Sequence, residues 1–175
     1  DEGLGFVTET PAALQNLTGD LYALAAGDID GDGDPDVVTT VCFGSTASSE
    51  VVLENVGGSL VLDAAALPAA QDDCDVGTLL LDVDTDGDLD VFFGGTRFDR
   101  YHLKLYVNRG DGTFVAASST LANSALPNLA GLDLQVNHVA GGDLDGDGDP
   151  DVVLALGAPY RVQGVPGAVF LFLLE

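Results

Sequence analysis

The stretch Asp28-Ile-Asp-Gly-Asp-Gly-Asp-Pro-Asp36 decides the fold of this chain. It places aspartates at alternate positions one, three, five, seven and nine, with glycine at position six. We call this nine-residue pattern the acidic ladder; it recurs at Asp82–Asp90 and at Asp143–Asp151. Five like charges this close repel one another strongly unless a cation neutralises them. The ladder therefore predicts a metal-binding loop, and its three copies predict a repeat architecture.

The ligand chemistry of the ladder favours calcium. Ca²⁺ takes about six to eight oxygen ligands in flexible geometry, whereas Mg²⁺ demands a near-ideal octahedron and keeps several waters. No Cys or His lies inside a ladder, which argues against zinc and copper. We expect side-chain oxygens from positions one, three, five and nine, a backbone carbonyl from position seven, and a sharp turn at the position-six glycine. The predicted metal-binding residues are Asp28, Asp30, Asp32, Asp34, Asp36, Asp82, Asp84, Asp86, Asp88, Asp90, Asp143, Asp145, Asp147, Asp149 and Asp151.

The start of the ladder is similar to an EF-hand loop, but its continuation is not. An EF-hand needs a bidentate Glu at position twelve and a helix on either side. Position twelve is Thr39, Phe93 or Leu154 in the three copies, and none of these is a carboxylate. The residues after each ladder are short apolar runs of the kind found in buried strands. The ladders are therefore predicted to join strand to strand, with a solvated acidic turn without metal as the alternative.

The ladders begin at residues 28, 82 and 143, so successive repeats are 54 and 61 residues apart. Each repeat reads as short apolar strands separated by acidic or glycine-rich turns. The predicted strands lie at about 20–27, 37–43, 50–54 and 59–63, then 76–81, 91–95, 102–107 and 113–117, and finally 135–142, 152–156 and 167–174. The third repeat lacks a fourth strand, and residues 1–9 resemble the missing strand when they are placed after Glu175.

Four-stranded repeats point to the blades of a β-propeller. The ladders, the turn Asn108-Arg-Gly-Asp-Gly-Thr-Phe114 and the pairs Phe43-Gly44 and Phe93-Gly94 resemble the FG-GAP/VCBS repeats of integrin-α-type propellers. The resemblance implies an all-β fold of three four-stranded blades. It also implies Ca²⁺ between the first and second strands of each blade, and an extracellular role in adhesion or ligand binding. The implied divisions are a single repeat domain 1–175, with blade one at about 20–63, blade two at about 74–117, and blade three at about 133–175 plus strand 1–9 of the same or a neighbouring chain.

Three blades are fewer than the four to eight of typical propellers. Two copies could form a six-bladed ring, copies could join head to tail through their terminal strands, or the sequence could be a segment of a longer protein. We expect self-association, because an unpaired apolar strand such as 168–174 is a template for pairing. An extracellular protein or glycan is the other expected class of partner.

The charge balance excludes several partners. The chain has only 5 Lys and Arg against 29 acidic residues, and its formal net charge is −24. It is therefore not expected to bind nucleic acid. No run approaches 18 apolar residues, so the sequence is not expected to insert into a membrane. Cys42 and Cys74 are its 2 cysteines. In a propeller of this type they would lie in adjacent blades on the face opposite the ladders, so we expect a disulfide and an oxidising, extracellular or cell-surface location.

These observations predict binding or assembly rather than catalysis, with structural Ca²⁺ at three sites. A self-assembling fibre or ring subunit is one alternative. An enzyme of the lyase or hydrolase kind, acting at the mouth of the propeller near His138, Asn137 and Asp133, is the other. The sequence contains no nucleophile motif or phosphate-binding glycine loop to support it.

Overall fold

The structure, a computed structural model, describes residues 12–16, 19–42, 50–68, 75–97, 100–117, 135–157 and 168–172. These residues form β-strands and one short 3-10 helix, Ala12–Asn16, with no α-helix among them. The strands are β1 (Asp20–Gly27), β2 (Asp36–Cys42), β3 (Glu50–Val56), β4 (Ser59–Asp63), β5 (Asp75–Leu81), β6 (Asp90–Arg97), β7 (Arg100–Asn108), β8 (Phe114–Ala116), β9 (Gln135–Gly142), β10 (Asp151–Gly157) and β11 (Ala168–Phe172).

The strands form three antiparallel sheets in which neighbours in sequence are also neighbours in space. Sheet one has the order β1-β2-β3-β4, sheet two the order β5-β6-β7-β8, and sheet three the order β11-β10-β9. In each sheet an acidic ladder joins the first strand to the second. The predicted all-β fold is therefore confirmed, and the predicted strands agree with those of the structure to within a residue or two at their ends.

The second strand of sheet two is apolar on both faces because another sheet packs against each of its sides. Phe92 and Phe93 are adjacent in β6, so their side chains point to opposite faces. Phe92 packs in a cluster with Val136 and Val139 of sheet three. Phe93 packs in a second cluster with Val38 of sheet one. Sheet two is thus enclosed between its two neighbours, which explains a continuous apolar run instead of an alternating one.

Neighbouring sheets pack most closely through their first strands. β1 lies against β5, and β5 lies against β9. Glycine permits this approach: a Cβ atom added at Gly77 would lie 3.1 Å from both Cγ atoms of Val139. Among the strands that the structure describes, β9 does not pack against β1 in the same way, so the three sheets form an open series.

Three sequence predictions concern segments beyond this description. Sheet three has three strands among the described residues, and residues 1–9, which were expected to complete it, lie outside them. The number of blades, the completion of the last one and the limits of the domain therefore stay predictions.

Candidate metal sites

Each acidic ladder forms a tight loop between two paired strands. Pairing begins directly at the ends of each loop, where Gly27 pairs with Asp36, Leu81 with Asp90, and Gly142 with Asp151. The ladders therefore lie between the first and second strands, as predicted, and metal binding by them stays a prediction.

Two backbone positions give each loop its turn. Gly33 at position six has φ 94°, and Gly87 and Gly148 both have φ 100°. Position four is also left-handed, with φ 78° at Gly31 and φ 59° at Thr85. Left-handed backbone favours glycine and is costly for a β-branched residue, so Thr85 makes the second loop locally strained. The position-six turn was predicted from the sequence, whereas the left-handed position four was not.

The carboxylate at position one organises the loop by accepting backbone N–H groups. Asp28 accepts from Gly31 N at 2.9 Å through Oδ1 and from Gly33 N at 3.0 Å through Oδ2. Asp82 accepts from the N–H of positions five and six at 3.1 and 3.0 Å. Asp143 accepts from Gly146 N at 2.7 Å. These bonds fold the loop around the first carboxylate and bring the later ones towards it.

In every ladder, three carboxylates converge. Each contributes an oxygen atom, and within a group these oxygen atoms all lie within 4.8 Å of one another. The converging groups are Asp28 with Asp30 and Asp32, Asp82 with Asp84 and Asp86, and Asp143 with Asp145 and Asp151. The structure thus brings together positions one, three and five in the first two ladders, and positions one, three and nine in the third.

The position-nine carboxylates are buried and hold the loop to the sheet. Asp36 accepts from Ile29 N at 3.0 Å and from Asn55 N at 2.7 Å. Asp90 accepts from Val83 N at 2.9 Å and from Asn108 N at 2.8 Å. A carboxylate oxygen has two lone pairs, so these bonds leave acceptor capacity for an ion. Position nine therefore connects the loop both to its own second residue and to the third strand.

The remaining predicted ligands lie outside the three groups. At position seven, Asp34, Asp88 and Asp149 each donate a backbone N–H to the position-five carboxylate, at 2.8, 3.0 and 2.9 Å. Asp147 is the acceptor of the last of these bonds and is not in the converging group of its ladder. The prediction that position seven contributes its backbone carbonyl to the ion is not tested by these contacts.

Burial and neighbouring carboxylates raise the pKa values of Asp30, Asp84 and Asp90. Desolvation and the neighbouring carboxylates raise the pKa of Asp30 and of Asp84 above its ordinary value. Burial raises the pKa of Asp90 to about 6, although the N–H groups of Asn108 and Val83 act in the opposite direction. The raised pKa values mean that the ionised carboxylates are destabilised when no cation is present. A bound divalent ion would stabilise their ionised form.

The side chain of Asn108 joins two ladders. Its Nδ2 donates to the backbone carbonyl of Ile29 in the first ladder at 2.7 Å and to that of Leu89 in the second at 3.0 Å. Asn55, at the matching place in sheet one, donates to the carbonyl of Pro35 at 3.1 Å. Sequence reasoning did not assign these residues a role, although the repeated Asn-x-Gly turn is the signal that points to them.

A second polar contact joins sheets one and two away from the ladders, near the starts of β3 and β5. Lys104 Nζ lies 3.0 Å from Asp75 Oδ2 and also bonds to the carboxylate of Glu50, so it bridges sheets one and two. Cys42 Sγ lies 3.9 Å from the backbone oxygen of Asp75. Cys74 lies outside the described residues, so the Cys42–Cys74 disulfide stays a prediction.

The structure describes only two of the three residues considered for the alternative catalytic site. His138 and Asn137 are exposed on β9. Asp133, the third residue considered for it, lies outside the described residues.

Fold and sites together define an all-β repeat protein with one acidic, cation-attracting loop in each sheet. Comparison with known families finds an FG-GAP-like repeat at residues 82–154 and an FG-GAP repeat at residues 21–52. The chain belongs to the FG-GAP repeat family. No individual curated protein matches it. None of the helices in the described part of the chain has the length and apolarity needed to span a membrane.

Proposed function

We propose that this chain is a calcium-binding module of the β-propeller type that works outside the cell in protein interaction. The observation that carries the proposal is the convergence of three carboxylate oxygens within 4.8 Å in each of three equivalent loops. Calcium has a structural role in this proposal: it neutralises the carboxylates and fixes the turn that pairs the first strand with the second.

The chemistry of the converging groups fits Ca²⁺. All their side-chain donors are carboxylate oxygens, which hard divalent cations prefer. The loops are folded by hydrogen bonds from their own backbone, so an ion would bind to a largely pre-arranged set of oxygens. Free carboxylates that repel one another in the empty loop become favourable partners once the ion is present.

The extracellular assignment rests on calcium and on the family. Extracellular modules bind Ca²⁺ at about 10⁻⁴–10⁻³ M, a concentration range available outside cells. FG-GAP repeats are typical of extracellular proteins, and the chain belongs to this family. The expected disulfide between Cys42 and Cys74 suits the same compartment.

Binding is preferred to catalysis because the ladder carboxylates are accounted for by the hydrogen bonds that fold the loops and by the proposed ion. The proposed partner is a protein, with a glycan as the other class. An enzyme acting near His138 would need converging acid, base and substrate-binding groups, and the exposed His138 and Asn137 supply no such arrangement by themselves.

Isothermal titration calorimetry with CaCl₂ tests the proposal. The wild-type chain should bind three Ca²⁺, and D84N, which removes a converging carboxylate from the second ladder, should bind two. D20N is the matched control, because Asp20 is an exposed aspartate at the start of β1, outside every ladder. It should keep all three sites. Absence of heat and of any thermal stabilisation at millimolar Ca²⁺ would refute the proposal.

A further inference from the structure

The contact between sheets two and three shows how one sheet of this protein packs against the next. Val136 and Val139 on β9 are 0% and 3% exposed. They lie over glycines of sheet two: a Cβ atom added at Gly94 would be 2.9 Å from Val136 Cγ1 and 3.1 Å from Val139 Cγ1. The face that sheet three turns towards sheet two is thus apolar at these two positions.

In sheet one, no sheet among the described residues covers the same face. Val136 and Val139 lie seven and four residues before the third ladder, and the residues at those distances before the first ladder are Leu21 and Leu24. Leu21 is 51% exposed and Leu24 is 70% exposed. Two leucines therefore lie in solvent at the positions where sheet three buries two valines.

The 3-10 helix does not account for this difference. Its Leu14 packs against the cluster of Val41, Val51 and Leu53 in sheet one. In sheet two the segment that enters the sheet lies in a similar place, because Ala66 O accepts from Phe114 N at 2.7 Å. Each entering segment covers the outer strands of its sheet, and in sheet one the first strand stays exposed.

The other end of the series shows the complementary surface. Ile29, at position two of the first ladder, is 4% exposed because it packs with Phe93 and Phe114 of sheet two. Leu144, at position two of the third ladder, is 56% exposed. Ala155, four residues after that ladder as Gly94 is four after the second, is also partly exposed in sheet three. Sheet three therefore exposes an apolar surface like those through which sheet one packs against sheet two and sheet two packs against sheet three.

We infer that a second copy of this chain docks its sheet one onto the sheet three of the first. The exposed leucines of sheet one correspond to the valines that sheet three buries against sheet two, and Leu144 corresponds to Ile29, which sheet one buries against sheet two. This continuity with the internal contacts identifies the partner. The contact joins different surfaces of the two copies, so it is heterologous and either closes a ring or continues as a chain. This inference identifies a second copy of the chain as the partner of the proposed calcium-binding module. It rests on the proposed function, because Leu144 lies inside the third calcium loop.

Calcium should strengthen this association for two reasons. Two chains of formal charge −24 repel each other, and bound Ca²⁺ lowers that charge. Ion binding also fixes the loop that carries Leu144, so less conformational freedom is lost on docking.

Light scattering coupled to size exclusion, at about 1 mM Ca²⁺, tests the inference with three variants. The wild-type chain, of 17.9 kDa, should give at least twice that mass at high protein concentration. L24E and L144E should each give the monomer mass, because each places a charge in one half of the contact. L62E is the matched control: Leu62 is exposed on β4, and its counterpart Ala116 is exposed even in the enclosed sheet two. It should assemble like the wild type.

Mixing the two disruptive variants gives the sharpest result. In a heterologous contact, L144E keeps an intact sheet-one surface and L24E keeps an intact sheet-three surface, so an equimolar mixture should form a dimer that neither variant forms alone. A monomeric wild type, unaffected assembly of both variants, or a mixture that stays monomeric would each overturn the inference. Calorimetry on L24E separates the two proposals, because this variant should still bind three Ca²⁺. If L24E binds three Ca²⁺ but the wild type is monomeric, the contact is refuted and the calcium function stands.

Discussion

Replacing Lys104 with methionine should destabilise this protein severely, because Lys104 is the cation that holds two buried carboxylates together. It is the single lysine of the chain, and its side chain is only 12% exposed. Its Nζ contacts Asp75 in its own sheet and Glu50 in sheet one. Both carboxylates are almost completely buried, at 0% and 2% side-chain exposure. The substitution would leave two acidic groups facing each other away from water.

The expected loss is about 3–5 kcal/mol, the usual cost of removing one partner from a buried ion pair. The pKa values support a strong coupling. Burial raises the pKa of Glu50, and the adjacent Asp75 raises it further. Burial acts to lower the pKa of Lys104, but the attraction of Asp75 and Glu50 outweighs it and the pKa is raised. Against a total of about 5–15 kcal/mol for a domain, such a loss is large.

Urea denaturation at saturating Ca²⁺ measures this difference. R109M is the matched control, because it removes the same charge from an exposed residue of the adjacent turn; its free energy of unfolding should change by less than about 0.5 kcal/mol. The triple variant K104M/E50Q/D75N should recover much of the loss, since it removes the buried charges as well. A free energy of unfolding for K104M within about 1 kcal/mol of the wild type would refute the reasoning.

Three further predictions concern the ladders. T85G should raise the free energy of unfolding by about 1 kcal/mol, because Thr85 has φ 59° and glycine adopts this backbone without strain; an unchanged or lower value would contradict it. N108A should cost about 2 kcal/mol and N55A less, since the Asn108 amide bonds carbonyls in two ladders and the Asn55 amide bonds one in its own; equal losses in urea denaturation would count against this role. In chelator, lowering the pH from about 7 to about 5 should stabilise the protein by about 1 kcal/mol, because the folded pKa of Asp90, about 6, lies above the ordinary 3.8 and the folded state takes up the proton. This stabilisation is full below the unfolded pKa and is lost as the pH rises through 6. The Ca²⁺-loaded protein should instead lose stability on acidification. Thermal melting across this pH range, with and without chelator, tests both expectations.

The acidic ladder was enough to predict the local structure of this chain. Its spacing identified the loops, the apolar runs beside it identified the strands, and its three copies identified three similar sheets. These are local features, and each repeat provides an independent reading of the same pattern. The agreement extends to the ends of β1 and β9, which match the predicted bounds.

The contacts between sheets could not be predicted in the same way. The bridges made by Asn108 and Lys104 join residues that are 54 or more positions apart, and a single sequence does not show which distant residues meet. The role of position nine also depends on the third strand, whose N–H groups reach Asp36 and Asp90. Position four was missed for another reason: Thr85 breaks the glycine pattern there, so the left-handed turn has no consistent sequence signal.

A crystal structure of the Ca²⁺-loaded protein, with the ions located by anomalous scattering, tests the central claim most directly. The account predicts three ions per chain, one in each ladder, at about 2.3–2.6 Å from carboxylate oxygens of the converging groups. Loops folded as described here but holding only water at millimolar Ca²⁺ would contradict it.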